Sequence, residues 1–403
     1  MLCRLLFNHG SASRIALVLL TGATLARAKT PVPSVDVYFG DLHSHTSYSD
    51  GQGTPEEAYE YARDVAKLDF LAITDHDHLM GGANTSPYLK HSLYVGPGET
   101  AIIPTAQRLT ENGKFVALYG QEYSSMSKGN HVNVFDTPEA IDLPAGKFDL
   151  LLEFMKGHPD STGQVAILQL NHPALGRPGK TITPIEYGRD DFGDDAGWVR
   201  NMGSVAALIE VLNGEPASNG SDRRAPQQME KFYLMYLQLG FHVAPTGDQD
   251  NHKPDWGTAT DARTGIIAPA LTKADLLAAL RARHVYATED KNLKLIFRVN
   301  GHLCGDILSS PTPPGAVKIE AHIEDTDEPD AEYTVDVFRG VVGGPIAEVV
   351  KTVTFTGNTA AGAIPGVTLD ADRQFLFFRI RQKSAAGEDL SWTSPVWWES
   401  GRD

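Results

Sequence analysis

Histidines near the start of this chain have a spacing that suits metal binding. His43 and His45 lie in the segment 41–51, directly after the apolar run of residues 35–39. If that run is a β-strand, side chains alternate between its faces, so both imidazoles lie on one side, about 7 Å apart at Cα. The two rings could then bind one metal ion. A single His-x-His pair is weak evidence, because two histidines at a strand end are often ordinary polar surface.

The same type of residue recurs at the ends of later apolar runs. The residues concerned are His76 after residues 68–74, Glu122 after 115–119, His172 after 165–170, Asp250 and His252 after 241–244, and His131 just before 132–135. Histidines and carboxylates at the C-terminal ends of successive strands are typical of the active site of a (β/α) barrel. Five such ends in one chain favour a functional site over chance.

Alternating apolar runs and helical patterns extend from residue 35 to about residue 292, which indicates βα units. One helix start is well marked, because Thr54 suits the N-cap, Pro55 the first helical position and Glu57 a capping box. A second helix is predicted to begin at Thr272. Insertions rich in Gly, Pro and Asp, at 81–104, 176–195 and 213–226, are predicted to lack regular structure, either as lids or binding loops or as solvated surface loops.

After residue 292 the pattern changes to short strand-like runs separated by Gly and Pro turns. We predict a small all-β, sandwich-like domain over residues 293–403, following a barrel domain over residues 29–292. The β-rich part carries no cluster of His, Asp and Glu. Its aromatic tail, Trp392, Trp397 and Trp398, is predicted to pack in the core or between domains rather than to bind carbohydrate.

Residues 1–28 are predicted to be a signal peptide, with a basic start, an apolar stretch at 15–25 and an A-x-A site at 26–28. The expected location is periplasmic or secreted, and an uncleaved anchor is the alternative. Cleavage would leave Cys304 as the single cysteine, which excludes an internal disulfide and a Cys-based zinc site. It would also move the formal net charge from −16 to −19, because three arginines and no acids are removed.

Such an acidic chain is not expected to bind nucleic acid or, after cleavage, an anionic membrane. A small-molecule ester is the expected partner, and the sequence leaves the oligomeric state open.

The order and spacing of these motifs resemble the PHP (polymerase and histidinol phosphatase) superfamily over nearly all of residues 35–290. The matching elements are Asp41-Leu42-His43-x-His45, Ser49-Asp50-Gly51, Ile73-Thr74-Asp75-His76-Asp77, Glu122, His131, Asn171-His172-Pro173 and Asp250-x-His252. Residues 37–43 and 281–288 are most similar to the branch that contains bacterial carbaryl hydrolases and exported proteins.

The resemblance implies an α/β fold with a distorted (β/α)7, TIM-like barrel and two to three divalent metal ions (Zn, Mn or Fe). By this resemblance His43, His45, Glu122 and Asp250 hold the first metal. Glu122 bridges to a second metal, completed by His131 and His172. The third is held by Asp50, His76 and His252. Some relatives carry histidine where this chain has Asp50, and that hard oxygen shifts the preference from zinc towards manganese or iron.

Two further residues were candidates for catalysis. His78 could protonate a leaving group, and Arg177 could clamp a phosphate, although both are also consistent with exposed positions. Asp75 or Asp77 could orient a ligand histidine. Glu210 could line the barrel mouth or only pair with a neighbour. Among the acids of residues 248–250, Asp250 is preferred over Asp248 because Asp-x-His matches the family spacing.

The predicted function is a metal-dependent hydrolase in which a hydroxide held between metals attacks phosphorus, most simply as a phosphomono- or phosphodiesterase. The alternative is a carbamate or carboxyl-ester hydrolase of the carbaryl-hydrolase type, with Tyr88, Tyr94 and Tyr123 as candidates for an aryl pocket. A remote alternative is a non-catalytic protein that binds metal or ligand.

A Ser/His/Asp hydrolase is disfavoured because the sequence lacks a Gly-x-Ser-x-Gly elbow. An amidohydrolase barrel is disfavoured because no lysine follows a predicted strand where a carbamylated ligand would be needed.

Overall fold

A computed structural model describes residues 34–77, 90–96, 98–125, 130–175, 183–214, 227–383 and 387–401. Up to residue 292 the helices and strands follow one another along the chain. They are β1 Asp36–Asp41, α1 Pro55–Asp64, β2 Phe70–Ile73, α2 His91–Tyr94, α3 Ile102–Leu109, β3 Val116–Ser125, β4 Asn130–Phe135, α4 Phe148–Gly157, β5 Ile167–Leu170, β6 Ala174–Leu175, β7 Thr183–Pro184, a 3₁₀ turn Arg189–Phe192, α5 Asp195–Met202, β8 Ala206–Asn213, β9 Gln227–Gln228, α6 Glu230–Leu239, β10 Ala244–Asp248, β11 Arg263–Ala268, α7 Lys273–Arg281 and β12 Val285–Thr288.

The remaining described residues form strands only. They are β13 Lys294–Val299, β14 His302–Leu303, β15 Ile307–Ser309, β16 Gly315–Glu324, β17 Glu332–Val341, β18 Glu348–Thr356, β19 Thr359–Leu369, β20 Gln374–Lys383, β21 Glu388–Thr393 and β22 Val396–Glu399. The fold therefore combines a mixed α/β part with a large β-rich part, which confirms the coarse prediction of fold class.

The α/β part is built on a curved sheet with the strand order β10-β8-β5-β4-β3-β2-β1-β11-β12. Six strands, β1, β2, β3, β5, β8 and β10, run in one direction, whereas β4 and β11 run antiparallel to their neighbours. Strand β12, antiparallel to β11, again runs in the direction of these six. At the far end Gly247 N, on β10, donates to Thr264 Oγ1 of β11 at 3.0 Å, so the two ends of the sheet approach each other. The C-terminal ends of the six parallel strands consequently gather at one rim.

Burial explains why these segments form this sheet. All four residues of β2 and all eight of β8 are buried, as expected for strands covered on both faces. Helix α1 begins with the predicted capping box: Thr54 accepts from the backbone N–H of Glu57, and the Glu57 carboxylate accepts from the backbone N–H of Thr54. The predicted start of α7 is also confirmed, because the Thr272 side chain accepts from Asp275 N.

The β-rich part is arranged as two facing sheets. One has the order β14-β13-β16-β19, and the other comprises β21-β20-β17-β18 with β22 and β15. Residues from both, among them Phe297, Ile319, Val335 and Phe378, pack in one core cluster, and β16 alternates between buried and more exposed positions as a half-buried strand should. Strand β21 pairs with β12, so the β-rich part continues the sheet of the α/β part.

The aromatic tail lies inside the protein. Trp392, Trp397 and Trp398 are 1%, 1% and 3% exposed, which confirms the prediction of core packing. Trp392 Nε1 donates to Glu230 Oε2 on α6 at 2.5 Å, so this tail also joins the two parts of the chain.

Several predictions differ from the structure or stay untested. The described strands do not repeat seven βα units, because β3 and β4 form a hairpin and β11 runs antiparallel. The insertion at 81–104 was predicted to lack regular structure, yet its described portion contains α2 and the start of α3. The boundary at 292/293 stays a prediction, and residues 1–28 lie outside the described part of the chain. No helix among the described residues is long and apolar enough to cross a bilayer.

Candidate metal centre

Nine side chains predicted as metal ligands lie at the rim where the parallel strands end. His43 and His45 follow β1, and Asp50 lies in the loop that leads to α1. The remaining six stand on or just after five further strands: His76 after β2, Glu122 within β3, His131 on β4, His172 after β5, and Asp250 and His252 after β10. The sheet topology brings together residues that are as far as 209 positions apart in the sequence.

Glu122 is at the centre of the group. Its Oε1 lies 3.3 Å from His43 Nε2, 3.2 Å from His131 Nδ1 and 3.4 Å from His172 Nε2. Its Oε2 lies 2.7 Å from His76 Nδ1 and 3.5 Å from His45 Nε2. The two oxygens thus face different histidines, which is the arrangement of a carboxylate that can bridge two cations.

Asp250 completes the first set of donors. Its Oδ1 lies 3.3 Å from His43 Nε2 and 3.2 Å from His45 Nε2, and those two ring nitrogens are 3.2 Å apart. Asp248, the alternative in the sequence, is turned away. Its Oδ1 accepts from Leu42 N and Thr264 Oγ1, and its Oδ2 accepts from Gln169 Nε2.

A third set of donors lies on the outer side. Asp50 Oδ1 is 3.3 Å from His252 Nε2 and 3.7 Å from His76 Nε2. Three groups have donor atoms that all lie within 4.8 Å of one another: His45 with Asp50, His76 and His252; His43 with His45 and Glu122; and His76 with Glu122 and His131. His45 thus belongs to two of these groups, and His76 lies in one group with Glu122 and His131. His172 Nε2 faces the same Glu122 oxygen as His131 Nδ1, so the predicted division of the nine residues among three metals stays a prediction.

Glu210, on β8, orients the fully buried His43. His43 Nδ1 donates to Glu210 Oε1 at 2.6 Å, which turns Nε2 of the same ring towards Glu122 and Asp250. The other oxygen, Oε2, accepts from the backbone N–H of His172 and from Asn213 Nδ2. A carboxylate behind a histidine fixes its tautomer and ring orientation, as in many metal sites. The sequence had left the role of Glu210 open.

Other neighbours hold the loops that carry the predicted ligands. Asp75 accepts from the backbone N–H of Thr46 at 2.7 Å and from Ser49 Oγ at 2.5 Å, so it braces the loop after His45. Trp256 Nε1 donates to the carbonyl oxygen of His45 at 3.0 Å. Ser49 Oγ also lies 3.5 Å from His45 Nδ1, so Asp75 acts on His45 through Ser49 and the loop. The role of Asp75 or Asp77 in orienting a ligand histidine stays a prediction.

Sequence reasoning did not assign Asn171 and Asn213. Asn171 Nδ2 donates to Glu122 Oε1 at 2.9 Å and to Asn133 Oδ1 at 2.9 Å, and Asn213 Nδ2 donates to Asp250 Oδ2 at 3.2 Å. Asn171 directly follows β5 and precedes His172, and Asn213 is the last residue of β8, three residues after Glu210. Those positions are the signal by which the sequence could have identified them.

The site is strongly polarised. Burial, helped by the rings of His252 and His76, lowers the pKa of His45 to about 3. Burial would raise the pKa of Glu122 and of Asp250, but the surrounding histidines hold both well below the ordinary range. For His43, burial acts to lower the pKa, but Asp250, Glu122 and Glu210 raise it well above its usual value. The site therefore combines buried ionised carboxylates with a demand for positive charge between them.

This donor set fits divalent cations. When Nδ1–H of His43 donates its hydrogen bond to Glu210 in the neutral ring, the Nε2 lone pair faces three further acceptors, on His45, Glu122 and Asp250, within 3.2–3.3 Å. Such atoms repel one another unless a positive charge lies among them. Imidazole nitrogens and carboxylate oxygens are the usual ligands of zinc, manganese and iron. These buried His, Glu and Asp groups could hold metal ions.

Two of the predicted ligands have unusual backbone conformations. His172 has φ +30° and Asp250 has φ +46°, in the left-handed region that few non-glycine residues adopt. Strain of this kind concentrates at functional sites, where the surroundings hold it in place. The exposed fraction of the side chain rises from 0% for His43 to 20% for His172, 23% for His252 and 29% for Asp50. The last three therefore line the open side of the site.

Three of the predicted residues cannot be placed. His78, Arg177 and Tyr88 lie outside the described residues. Tyr94 and Tyr123, the other candidates for an aryl pocket, are both fully buried. The hydroxyl of Tyr94 donates to the carbonyl oxygen of Thr137, and that of Tyr123 donates to the carbonyl oxygen of Pro144. Neither ring therefore presents an exposed face that could line a pocket for an aryl group.

Comparisons with known proteins give distant matches. No family model matches the chain. An uncharacterised protein of Chlamydia pneumoniae is 23% identical over 384 residues, which cover 90% of this chain but only 57% of the length of that protein. Among solved structures, the chain is similar to a two-domain protein of Bacteroides vulgatus described as containing a predicted PHP-like metal-dependent phosphoesterase. That similarity has a TM-score of 0.47 at 15% identity and covers 86% of this chain and 90% of the other. A β-glucosidase of Listeria innocua matches with a TM-score of 0.16 at 10% identity, over 51% of this chain and 38% of that one.

Proposed function

We propose that this protein is a metal-dependent hydrolase of the PHP type that cleaves phosphomono- or phosphodiesters. The observation that carries the proposal is the convergence of five histidines on the two oxygens of the buried Glu122, at 2.7–3.5 Å. A bridging carboxylate among neutral imidazoles is the donor set that a multinuclear hydrolase needs. The order of the nine predicted ligands along the chain is that of the PHP pattern.

Divalent cations bound there, which we propose to be two or three ions of zinc, manganese or iron, would supply Lewis acidity and a nucleophile at neutral pH. The chain contributes positioning. Glu210 holds the ring of His43, Asn171 holds Oε1 of Glu122, and Asp75 holds the loop that carries His45. The oxygen of Asp50 on the open side favours manganese or iron at the outer position.

Substrate would approach from the side lined by Asp50, His172 and His252, which are the most exposed members of the cluster. An anionic phosphoester is attracted to bound cations even though the chain as a whole is acidic, because the local charge of the ions dominates at contact distance. We further propose that the enzyme acts outside the cytoplasm, on the basis of residues 1–28 alone.

Carbamate or carboxyl-ester hydrolysis, of the type found in the carbaryl-hydrolase branch, is the competing reaction. It requires an apolar pocket for an aryl group, and the two described candidates, Tyr94 and Tyr123, donate their hydroxyls elsewhere in the core. A non-catalytic binding role is less favoured because it does not require all nine predicted ligands, and all nine are present. Both alternatives are outcomes of the experiment below.

The test is a rate comparison on purified protein reconstituted with manganese, zinc or iron. The substrates are p-nitrophenyl phosphate, bis-p-nitrophenyl phosphate and naphthyl methylcarbamate. We expect phosphoester turnover to exceed carbamate turnover, and His43→Ala to reduce it by about 100-fold or more, since the ring faces both Glu122 and Asp250.

His322→Ala serves as the matched control, because this histidine is 42% exposed on the β-rich part of the chain. It should keep the full rate. Turnover of the carbamate alone would move the protein to the carbonyl hydrolases. Tight metal binding without turnover of any of these substrates would contradict the proposed phosphoesterase and support a binding role.

A further inference from the structure

A second group of carboxylates lies away from the candidate metal centre. Asp290 lies between β12 and β13, Asp325, Asp327 and Glu328 lie in the turn from β16 to β17, and Asp389 lies on β21. These residues are close enough for their charges to act on one another. The group stands where the chain passes from the α/β part to the β-rich part.

Gln382, on β20, points into this group. The residue is 1% exposed, and its Nε2 lies 2.7 Å from Asp325 Oδ2, 2.8 Å from Glu328 Oε2 and 3.4 Å from Asp290 Oδ2. A primary amide has two N–H groups, so three carboxylates exceed what it can donate to. Its own Oε1 is buried and has no hydrogen-bond partner among the described residues. A buried amide oxygen without a partner is costly unless something positive binds it.

Rotation of this amide by half a turn would exchange its nitrogen and oxygen, which occupy nearly the same volume. An amide oxygen would then lie 2.7–3.4 Å from three carboxylate oxygens. Adjacent ligands of an ion with 2.3–2.6 Å bonds are separated by about 2.8 Å in the five-membered ring of a pentagonal bipyramid and by about 3.4 Å when they lie at right angles. The observed distances are therefore close to those of neighbouring ligands around one hard cation.

Three carboxylates of this group have no basic side chain as an ion-pair partner in the part of the chain that the structure describes. Within the described residues, none of Asp290, Asp325 and Asp389 forms an ion pair with lysine or arginine. Burial and the neighbours Asp327 and Asp290 raise the pKa of Asp325 to about 7, and burial with Asp290 and Glu289 raises that of Asp389 to about 6. Both shifts reflect the difficulty of keeping several carboxylates ionised together.

A second buried oxygen without a partner lies beside the group. Tyr333 on β17 is paired in register with Gln382, and its side chain is fully buried. Its hydroxyl has no hydrogen-bond partner in the part of the chain that the structure describes. Its pKa is raised by burial and then by Asp325 and Glu328, which places the ring near these acids.

We infer that Asp290, Asp325, Glu328 and the amide oxygen of Gln382 form a calcium site that is separate from the hydrolase centre. Calcium suits an irregular, all-oxygen shell of carboxylates and an amide carbonyl, whereas magnesium demands near-octahedral geometry and keeps its waters. Because Asp290 belongs to the passage from the α/β part and the other three to the β-rich part, the bound ion would tie these segments together.

The experiment measures thermal unfolding of the full chain with manganese held constant, so that the candidate metal centre is occupied throughout, and with calcium added or omitted. We expect calcium to raise Tm by about 3 °C or more once it is 100-fold above its Kd, and magnesium at the same concentration to raise it much less. Terbium, used as a luminescent substitute for calcium, should be sensitised by the nearby ring of Tyr333 and displaced by calcium.

Two variants distinguish a calcium site from simple loss of structure. Asp325→Asn removes one charge from a repelling group, so it should unfold at the same or a higher temperature without calcium, yet lose most of the calcium-induced shift. Gln382→Met removes the amide oxygen and should weaken calcium binding by about tenfold or more. A variant that only damaged the fold would be less stable in both conditions.

Asp330→Asn is the matched control, because it removes an exposed carboxylate from the same turn. It should keep the full response to calcium. The inference is overturned if wild-type protein shows no calcium-dependent shift, or if Asp325→Asn and Asp330→Asn respond to calcium equally. An equal response to magnesium would overturn the assignment to calcium.

Discussion

His43 presents its two ring nitrogens to two different carboxylates. Nδ1 is 2.6 Å from Glu210, behind the site, and Nε2 is 3.3 Å from Glu122, inside it. The hydrogen bond from Nδ1 to Glu210 sets the tautomer of the ring. In that tautomer Nε2 keeps a free lone pair, which faces the side of Glu122. Glu210 therefore acts on metal binding through His43, without needing to touch a cation itself.

Replacement of Glu210 tests this role. Glu210→Gln should lower metal affinity and phosphoester turnover by about tenfold, and Glu210→Ala by about 100-fold, because the neutral amide still accepts from His43 and the methyl group does not. Metal affinity is measured by competition with a chelator, and activity with the substrates described above.

A surface glutamate supplies the comparison. Glu60, whose side chain is 49% exposed on α1, should tolerate Glu60→Gln with no change in affinity. If Glu210→Ala binds metal as tightly as the wild type, the orienting role of Glu210 is excluded.

At the scale of elements, short polar segments at strand ends do most of the positioning. The loop between β1 and α1 carries His43, His45 and Asp50, and it ends at the capping box of α1. Gly53, in the same loop, has φ +72°, and a Cβ there would lie 2.6 Å from the ring of Trp256, which donates to the carbonyl of His45. Trp256 thus holds the loop near His45, and the capping box holds it at Thr54.

Removing the N-cap side chain of α1 should lower the free energy of unfolding. Thr54→Ala takes away the oxygen that accepts from Glu57 N, so the free energy of unfolding should fall by about 1 kcal/mol. Urea denaturation measures the change. Thr312→Ala, at an exposed position without a cap, should be nearly neutral. Equal effects of the two variants would show that the cap contributes nothing to global stability.

At the scale of the whole molecule, residues 35–403 form one compact unit. The pairing of β12 with β21 continues the main sheet into the β-rich part, and α6 contacts the tail through Glu230 and Trp392. Elements joined by backbone hydrogen bonds across such a seam should unfold together.

Cys304 provides a probe of this cooperativity. It is 2% exposed and free, and burial raises the pKa of its thiol to about 12, so the reactive thiolate is scarce in the folded protein. In a Cys3→Ser chain, alkylation of Cys304 should be slow in buffer. The urea concentration at which alkylation becomes half-maximal should equal the midpoints for the change in tryptophan fluorescence and for the loss of hydrolase activity. Alkylation at a clearly lower urea concentration than the loss of activity would show that the β-rich part opens independently.

Local patterns were sufficient to predict a mixed α/β fold followed by a β-rich part, the cap at Thr54, the start of α7 and the burial of the aromatic tail. These features depend on alternation of apolar residues, on turn chemistry and on residues a few positions apart. The assignment of the nine residues as ligands stays a prediction, but their motifs could be found for the same reason, since each is a strand followed by a short polar signature.

Features that depend on distant partners could not be obtained in this way. The antiparallel course of β4 and β11, the sharing of one sheet by β12 and β21, and the grouping of His76 with His131 all follow from which strands become neighbours. Glu210 becomes the partner of His43 across 167 positions, and Gln382 meets Asp325 across 57. Periodicity in a sequence reports which face of an element is buried, but the closure of the sheet in three dimensions selects the side chains that meet there.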